Sequence, residues 1–455
     1  MMIEIAVSCS TRYSCFSAYR IHQPLALTPS LDLISSTFED IFCKMGKLNI
    51  FEITLSNLQG VYYAGQNVQG HCTVELNEEM SMRGIRLKFE GKAYVHWTES
   101  KSSGSGSKSY TATEKYFEQE VLLFGIWPGQ GSDTTKLAAG RTTFQFCFVL
   151  PPNLPSSFEG THGYVRYFVK ATIDKPWKFD HTTKRPFTII GILDLNTDAN
   201  AVIPVEGVNQ KTLCCLCCAS GPISASFHLE RRGYVPGEPI KLLANIKNKS
   251  NQKMDKSFVD LRMTITYYAR TKNRTSVKEV GRVLEGPIEE GQSFSWEGQV
   301  FVLPPLPPSH LAGCRIIDVK YILQLNVEPS GMSLNLEVPL EIIIGTIPLR
   351  QVVELCPPRA PQPFQPPVGF PLPTEAVNIS GMDGGSVIPS APFEPVMPYQ
   401  PPSHIPNLPP PSYSECVLGK VNVKDEDDNE YTHGVLEYAP VYTYYDWGYQ
   451  PTAMK

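Results

Sequence analysis

Three short motifs occur twice, in the same order, and this repetition constrains the fold more than any other feature of the chain. Tyr63-Ala64-Gly65-Gln66-Asn67-Val68 returns as Val235-Pro236-Gly237-Glu238-Pro239-Ile240, an offset of 172 between the glycines. Phe148-Val149-Leu150-Pro151-Pro152-Asn153-Leu154-Pro155 returns as Phe301-Val302-Leu303-Pro304-Pro305-Leu306-Pro307-Pro308, an offset of 153, and Val165-Arg166-Tyr167 returns as Val319-Lys320-Tyr321, an offset of 154. Solenoid repeats are far shorter, so this spacing describes a duplicated domain. The shrinking offset places extra residues in the first copy, and the Ser/Gly run from Lys101 to Ser109, a flexible hairpin loop by composition, is their natural location.

Within each copy the hydrophobic period is two. Leu48, Ile50, Ile53 and Leu55 suggest a first strand, Val68 to Leu76 another, and Ile85, Leu87 and Phe89 alternate cleanly with Arg86, Lys88 and Glu90. More strands are predicted at Val121 to Phe124, Thr143 to Leu150, Tyr164 to Ile173 and Phe187 to Ile190, with Tyr63 to Gln66 as a turn. One wet and one dry face per strand is the pattern of an antiparallel sheet in a sandwich. The second copy closes with Leu334, Leu336, Val338, Leu340, Ile342 and Ile344, where Pro339 is tolerated only at an edge or a bulge. The expected organisation is an extension over 1–44, a first β-sandwich over 47–195, a linker over 196–220, a second sandwich over 221–347 and a disordered tail over 348–455. Met45-Gly46-Lys47-Leu48 has the look of a second start, and Ile50 stands where a myristoylation signal wants Ser or Thr.

Of the 40 prolines, 20 fall in the last 105 residues, a composition that cannot bury enough apolar area to offset chain entropy. Inside it lies Leu408-Pro409-Pro410-Pro411-Ser412-Tyr413. Consecutive prolines fix the polyproline II conformation before any partner arrives. A Pro-Pro-x-Tyr motif of this kind fits the aromatic groove of a WW domain, with Tyr413 entering a neighbouring pocket. Pro401-Pro402-Ser403-His404 lacks the tyrosine, and Ala439-Pro440-Val441-Tyr442 lacks the first proline, which leaves Pro440 and Tyr442 as a secondary candidate. The acidic run Asp425 to Glu430 reads as a solvating spacer.

Taken together these motifs resemble the arrestin domain-containing proteins, or α-arrestins. The resemblance spans about Lys47 to Ile347. It is carried by Val165-Arg166-Tyr167-Phe168-Val169-Lys170-Ala171 leading to Pro176-Trp177-Lys178-Phe179 and Phe187-Thr188-Ile189-Ile190. Lys211-Thr212-Leu213-Cys214-Cys215-Leu216-Cys217-Cys218 and Arg232-Gly233-Tyr234-Val235-Pro236-Gly237-Glu238 carry it into the second copy. It implies an all-β fold of two tandem arrestin-like, immunoglobulin-type sandwiches followed by a disordered Pro-rich tail. It also implies a non-enzymatic adaptor in which Pro410, Pro411 and Tyr413 contact WW domains of HECT-type ubiquitin ligases. The body would meet membrane receptors or transporters as cargo, peripherally at the plasma membrane and endosomes, from the cytoplasm. The implied outcome is cargo ubiquitination, endocytosis and endosomal sorting. Only one clean motif is present, so avidity from linked motifs is reduced. Two other roles stay open: a retromer-like sorting scaffold without a ligase, and a redox or thioredoxin-binding arrestin.

The chemistry of the remaining residues narrows the field. A net charge of -5 argues against nucleic acid as the main partner. No Gly-x-Ser-x-Gly elbow, Walker loop or His-Glu-x-x-His occurs, so no catalytic residue, metal or cofactor is expected, and His71, His96, His162 and His228 read as surface or satisfied strand residues. Twelve cysteines without framework spacing point to a reducing compartment. Cys214, Cys215, Cys217 and Cys218 are read as packing residues first, then as sites of palmitoylation, then of redox or metal chemistry; five consecutive residues rarely wrap a tetrahedral metal, which would need ligands from elsewhere. A thioredoxin partner would want a reactive thiol in the second sandwich, where only Cys314 stands. The stretch Lys170 to Arg185 is open to two readings: a contact for acidic lipid or phosphate, or a strand of solvated lysines with Trp177 and Phe179 paired in the core.

Overall fold

The computed structural model describes residues 47–100, 106–128, 130, 134–215, 218–331, 333–360, 405, 408–425 and 428–450. The proposed extension over 1–44 and the 361–404 portion of the tail lie outside them. The first copy runs β1 (Leu48–Leu55), β2 (Val61–Tyr63), β3 (Asn67–Leu76), β4 (Met80–Met82), β5 (Gly84–Ser100), β6 (Ser107–Gly125), β7 (Thr135–Leu137), β8 (Gly140–Val149), β9 (Phe158–Gly160), β10 (Gly163–Asp174) and β11 (His181–Ile190). One sheet has the order β1-β3-β8 and the other β2-β11-β10-β5-β6. The alternation read from sequence is the packing: Ile85, Leu87 and Phe89 are buried, and Phe89 stacks on Phe148 of the facing sheet with centroids 4.5 Å apart.

The second copy repeats the plan with β12 (Val205–Cys215), β13 (Cys218–Leu229), β14 (Gly233–Tyr234), β15 (Pro239–Lys241), β16 (Leu243–Asn248), β17 (Met254–Ala269), β18 (Lys272–Glu285), β19 (Ser293–Trp296), β20 (Val300–Val302), β21 (Ile317–Pro329) and β22 (Leu336–Ile344). Its sheets are β12-β13-β16-β19 and β14-β22-β21-β17-β18. The paired motifs make the same local structures. Gly65 and Gly237 have φ of +83° and +89°, and each turn is closed by the next side chain. Gln66 Oε1 accepts from the Tyr63 N–H at 2.9 Å, and Glu238 Oε2 accepts from the Val235 N–H at 3.0 Å. Tyr167 donates to the Pro155 carbonyl at 2.7 Å and Tyr321 to the Pro307 carbonyl at 2.8 Å. Ser157 and Ser309 each accept a strand N–H, from Ile189 and Ile344, at 2.9 Å.

Two boundaries differ from the expectation. Residues 205–215, assigned to a linker, are β12, an outer strand of the second sandwich paired antiparallel with β13. The two strands approach each other in a run of cysteines, with Cys215 opposite Cys218, a stretch that no Gly or Pro marks in the sequence. Leu334 stands outside β22 and is exposed. Pro339 is where an edge would allow it: β22 pairs with β21 there, while β14 reaches only Ile343 and Ile344. The sandwiches meet through Leu193, whose N–H donates to Thr346 Oγ1 at 2.8 Å, and through Lys272 and Arg315, which pair with Glu99 and Glu114, each at 2.8 Å.

The larger difference is at the end of the chain. A short helix, Arg350–Leu355, follows the second sandwich, and the chain beyond residue 407 forms β23 (Ser412–Glu415), β24 (Val421–Asn422), β25 (Thr432–Gly434), β26 (Glu437–Tyr438) and β27 (Val441–Tyr444). Expected to hang free, these residues instead lie on the body, with β25 parallel to β11 and β23 antiparallel to β27. The physical reason is aromatic content. Tyr438, Tyr442, Tyr445 and Trp447 are all buried, and aromatic side chains bury roughly 150–250 Å² each. Proline content held the sequence reading on disorder, yet these rings supply what the prolines lack. Among the described residues no helix is long and apolar enough to cross a membrane.

Candidate partner-binding site

The Pro-Pro-x-Tyr motif is held against the first sandwich. Leu408 is buried in a cluster with Ile405, Val353 and Trp447. Pro410 is exposed and Pro411 buried, while Tyr413 is half-buried in β23. The Tyr413 hydroxyl lies 3.1 Å from that of Tyr63, and burial raises its pKa despite that bond. Ser412 donates to the Tyr444 carbonyl at 2.9 Å, so the strand is fastened by side chain as well as backbone. A WW groove needs the polyproline face and the tyrosine ring together, and in this arrangement the ring is engaged elsewhere.

What fastens the rest of the strap is a buried charge cluster. Lys184, on β11, is 1% exposed, and its ammonium donates to Asp425 Oδ2 at 2.6 Å, to Asp428 Oδ2 at 3.1 Å and to the Val423 carbonyl at 3.2 Å. It also sits 4.4 Å from the Phe168 ring centroid. Lys170 donates to the other Asp428 oxygen at 3.1 Å. Burial works against the Asp428 carboxylate, but the Asp425 N–H and the two lysines outweigh it and hold its pKa below the ordinary value. Asp425 and Asp428 are therefore not a solvating spacer. The sequence carried a signal that went unread: an acidic run near the end matched by Lys170 and Lys184 on one sheet.

Other candidates are placed as follows. Tyr442 is 2% exposed and donates to the Ser157 carbonyl at 2.9 Å, and Pro440 is buried, so the secondary motif is part of the core. Cys214 and Cys215 lie in β12 and Cys218 in β13, while Cys217 is outside the described residues. Burial pushes the Cys314 thiol up, against the reactivity a thioredoxin partner would need. Trp177 and Phe179 are at 102% and 68% exposure, which overturns the reading of an aromatic pair in the core. Lys184 is buried and Lys170 half-buried, which overturns the solvated reading for those two, whereas Lys178 is exposed and Lys175 half-buried at the turn.

Two sandwiches in tandem, each with the same glycine turn near its start, define the arrestin architecture. Residues 51–196 match the family "Arrestin (or S-antigen), N-terminal domain" and residues 219–349 match "Arrestin (or S-antigen), C-terminal domain". Arrestin domain-containing protein 17 of Caenorhabditis elegans is 32% identical over 315 residues, covering 67% of this chain and 72% of that protein. Human Arrestin domain-containing protein 4 is 34% identical over 295 residues, covering 64% and 69%. Human Thioredoxin-interacting protein is more distant, 28% identical over 301 residues, covering 65% and 74%. The chain belongs to the arrestin domain-containing, or α-arrestin, family. The general role that goes with membership is that of an adaptor or scaffold.

Proposed function

We propose that this chain is a non-enzymatic adaptor that recruits a WW-domain ubiquitin ligase of the HECT type to membrane-protein cargo, promoting cargo ubiquitination, endocytosis and endosomal sorting. The body engages receptors or transporters from the cytoplasmic side of the plasma membrane and endosomes, and the tail engages the ligase. The observation that carries this reading is Pro410-Pro411-Ser412-Tyr413. The folded strap adds a condition: β23 must leave β27, and Tyr413 must leave Tyr63, before the motif can enter a groove. Ligase capture is then a property of the strap-open population, and apparent affinity falls by the open fraction.

Binding of isolated WW domains to the full chain, measured by fluorescence anisotropy, tests the reading. Tyr413→Ala is expected to abolish binding, since the pocket for the ring is left empty. Equal binding by wild type and Tyr413→Ala refutes the proposed mechanism. No binding even after the strap is released leaves a sorting scaffold that works without a ligase.

A further inference from the structure

The turn between β10 and β11 presents an aromatic and cationic tip of which the fold uses only Phe179, stacked on Tyr431, and the ligase motif uses nothing. Lys175-Pro176-Trp177-Lys178-Phe179-Asp180 is a built turn. The Asp180 carboxylate accepts from the Lys175 N–H at 3.0 Å, Trp177 is held at φ +60°, and Phe179 stacks on Tyr431 with centroids 5.7 Å apart and planes 19° from parallel. A bulky residue in the left-handed region is uncommon and carries a backbone cost. Here that conformation sets the indole wholly in solvent, against the ordinary tendency of large aromatics to be covered.

The position is as informative as the composition. β10 begins beside the second sandwich, where His162 packs edge-on against Tyr267 at 5.5 Å. Its twelve residues end at the opposite tip. Gly84 lies opposite both Asp174 and Gly125, so the segment after β6, with Ile126 and half-buried Trp127, shares that free end. The charges there divide into satisfied and unsatisfied groups. Arg83 pairs with Asp174, and Arg86 with Asp174 and Glu120, whereas Lys175 and Lys178 form no ion pair among the described residues. Burial and the neighbouring Lys178 lower the Lys175 pKa, with Asp180 acting against them.

We infer that this tip docks on the surface of an anionic phospholipid bilayer, with Trp177 and Phe179 entering the headgroup layer and Lys175 and Lys178 facing lipid phosphates. Tryptophan favours that layer because its body is apolar and its N–H is polar, and lysines beside it gain from the negative surface potential. A protein groove would satisfy the aromatics as well, but the unpaired lysines beside them select a negative, laterally uniform surface. The inference rests on the reading of the chain as a membrane-cargo adaptor and names the surface that brings it there.

The test is co-sedimentation of the full chain with vesicles of phosphatidylcholine alone and of phosphatidylcholine mixed with phosphatidylserine. Binding is expected to the mixed vesicles only, weakening with added salt. Trp177→Ala is expected to lose about tenfold in affinity, the worth of one aromatic burial, and Lys175→Gln with Lys178→Gln about fivefold per charge. A blue shift of tryptophan emission on binding should vanish in Trp177→Phe. All of these side chains are exposed or half-buried in a turn, and unchanged thermal unfolding confirms that each variant is folded. Equal binding to both vesicle types, or variants that bind like wild type, overturns the inference. So does binding of soluble inositol hexakisphosphate at the same lysines without vesicle binding. WW-domain capture by the same variants keeps the two readings apart: it persists if only the lipid tip has been lost.

Discussion

Replacing Asp425 and Asp428 together by alanine removes both carboxylates that hold Lys184. In the strapped state its ammonium would remain buried, at 1% exposure, with the Val423 carbonyl and the Phe168 ring as its remaining partners among the described residues. Stripping the partner from a buried ion costs about 3–5 kcal/mol, and the residual carbonyl and ring favour the lower end. The penalty falls on the docked state alone, because departure of the strap lets water reach Lys184. About 3 kcal/mol moves the docking equilibrium by roughly 100-fold or more. WW-domain affinity for the full chain should rise by about that factor, up to the value of an isolated 405–418 peptide, which has no strap to open. Anisotropy titrations of wild type, the double variant and the peptide supply the comparison. Identical affinities for all three would show that the motif is already free and that the charge cluster does not gate it. A double variant no tighter than wild type, with a tighter peptide, would place the latch elsewhere.

Three further outcomes follow from named contacts. Gly65→Ala carries only the cost of a left-handed residue, about 1 kcal/mol, since its new Cβ meets nothing within 4 Å. In Gly237→Ala the Cβ would come within 1.9 Å of the Tyr445 carbonyl oxygen, so chemical denaturation should show a larger loss that shrinks when the tail is removed. Burial and the charges of Lys175 and His433 depress the His181 pKa from 6.5 to about 4, and its ring packs edge-on against Tyr431 of the strap. The released or unfolded chain therefore binds the extra proton first, so strap protection from proteolysis should hold above pH 6.5 and decline as the pH falls towards about 4. Burial pushes the Cys72 thiol up to about 12, and Cys147 and Cys356 are exposed, so mild alkylation followed by mass spectrometry should find the latter two modified first.

The sheets were legible because alternation such as Ile85-Arg86-Leu87-Lys88-Phe89 has one physical solution when a single face is dry. The duplication was legible because a glycine turn closed by Gln66 or Glu238 needs the same residue types in both copies. The strap was not. Its strands are two to four residues long, too short for periodicity, and their pairing partners lie far away in sequence. Lys184 was missed for a related reason: a lysine in a strand reads as solvated until the carboxylates 241 and 244 residues later are seen beside it. Trp177 misled in the other direction, since an aromatic pair near a strand end ordinarily packs inward.

One stretch of four residues ties both bodies at once. Tyr442 bonds to Ser157 in the first sandwich, and Tyr445 bonds to Thr346 and Pro236 in the second. Were β27 to leave with β23, freeing the motif and loosening the contact between the two sandwiches would belong to one equilibrium. On the proposed adaptor reading, reciprocity would then require that a cargo favouring the loosened arrangement raise ligase affinity by the same factor by which the ligase raises affinity for that cargo. Cargo would license its own tagging.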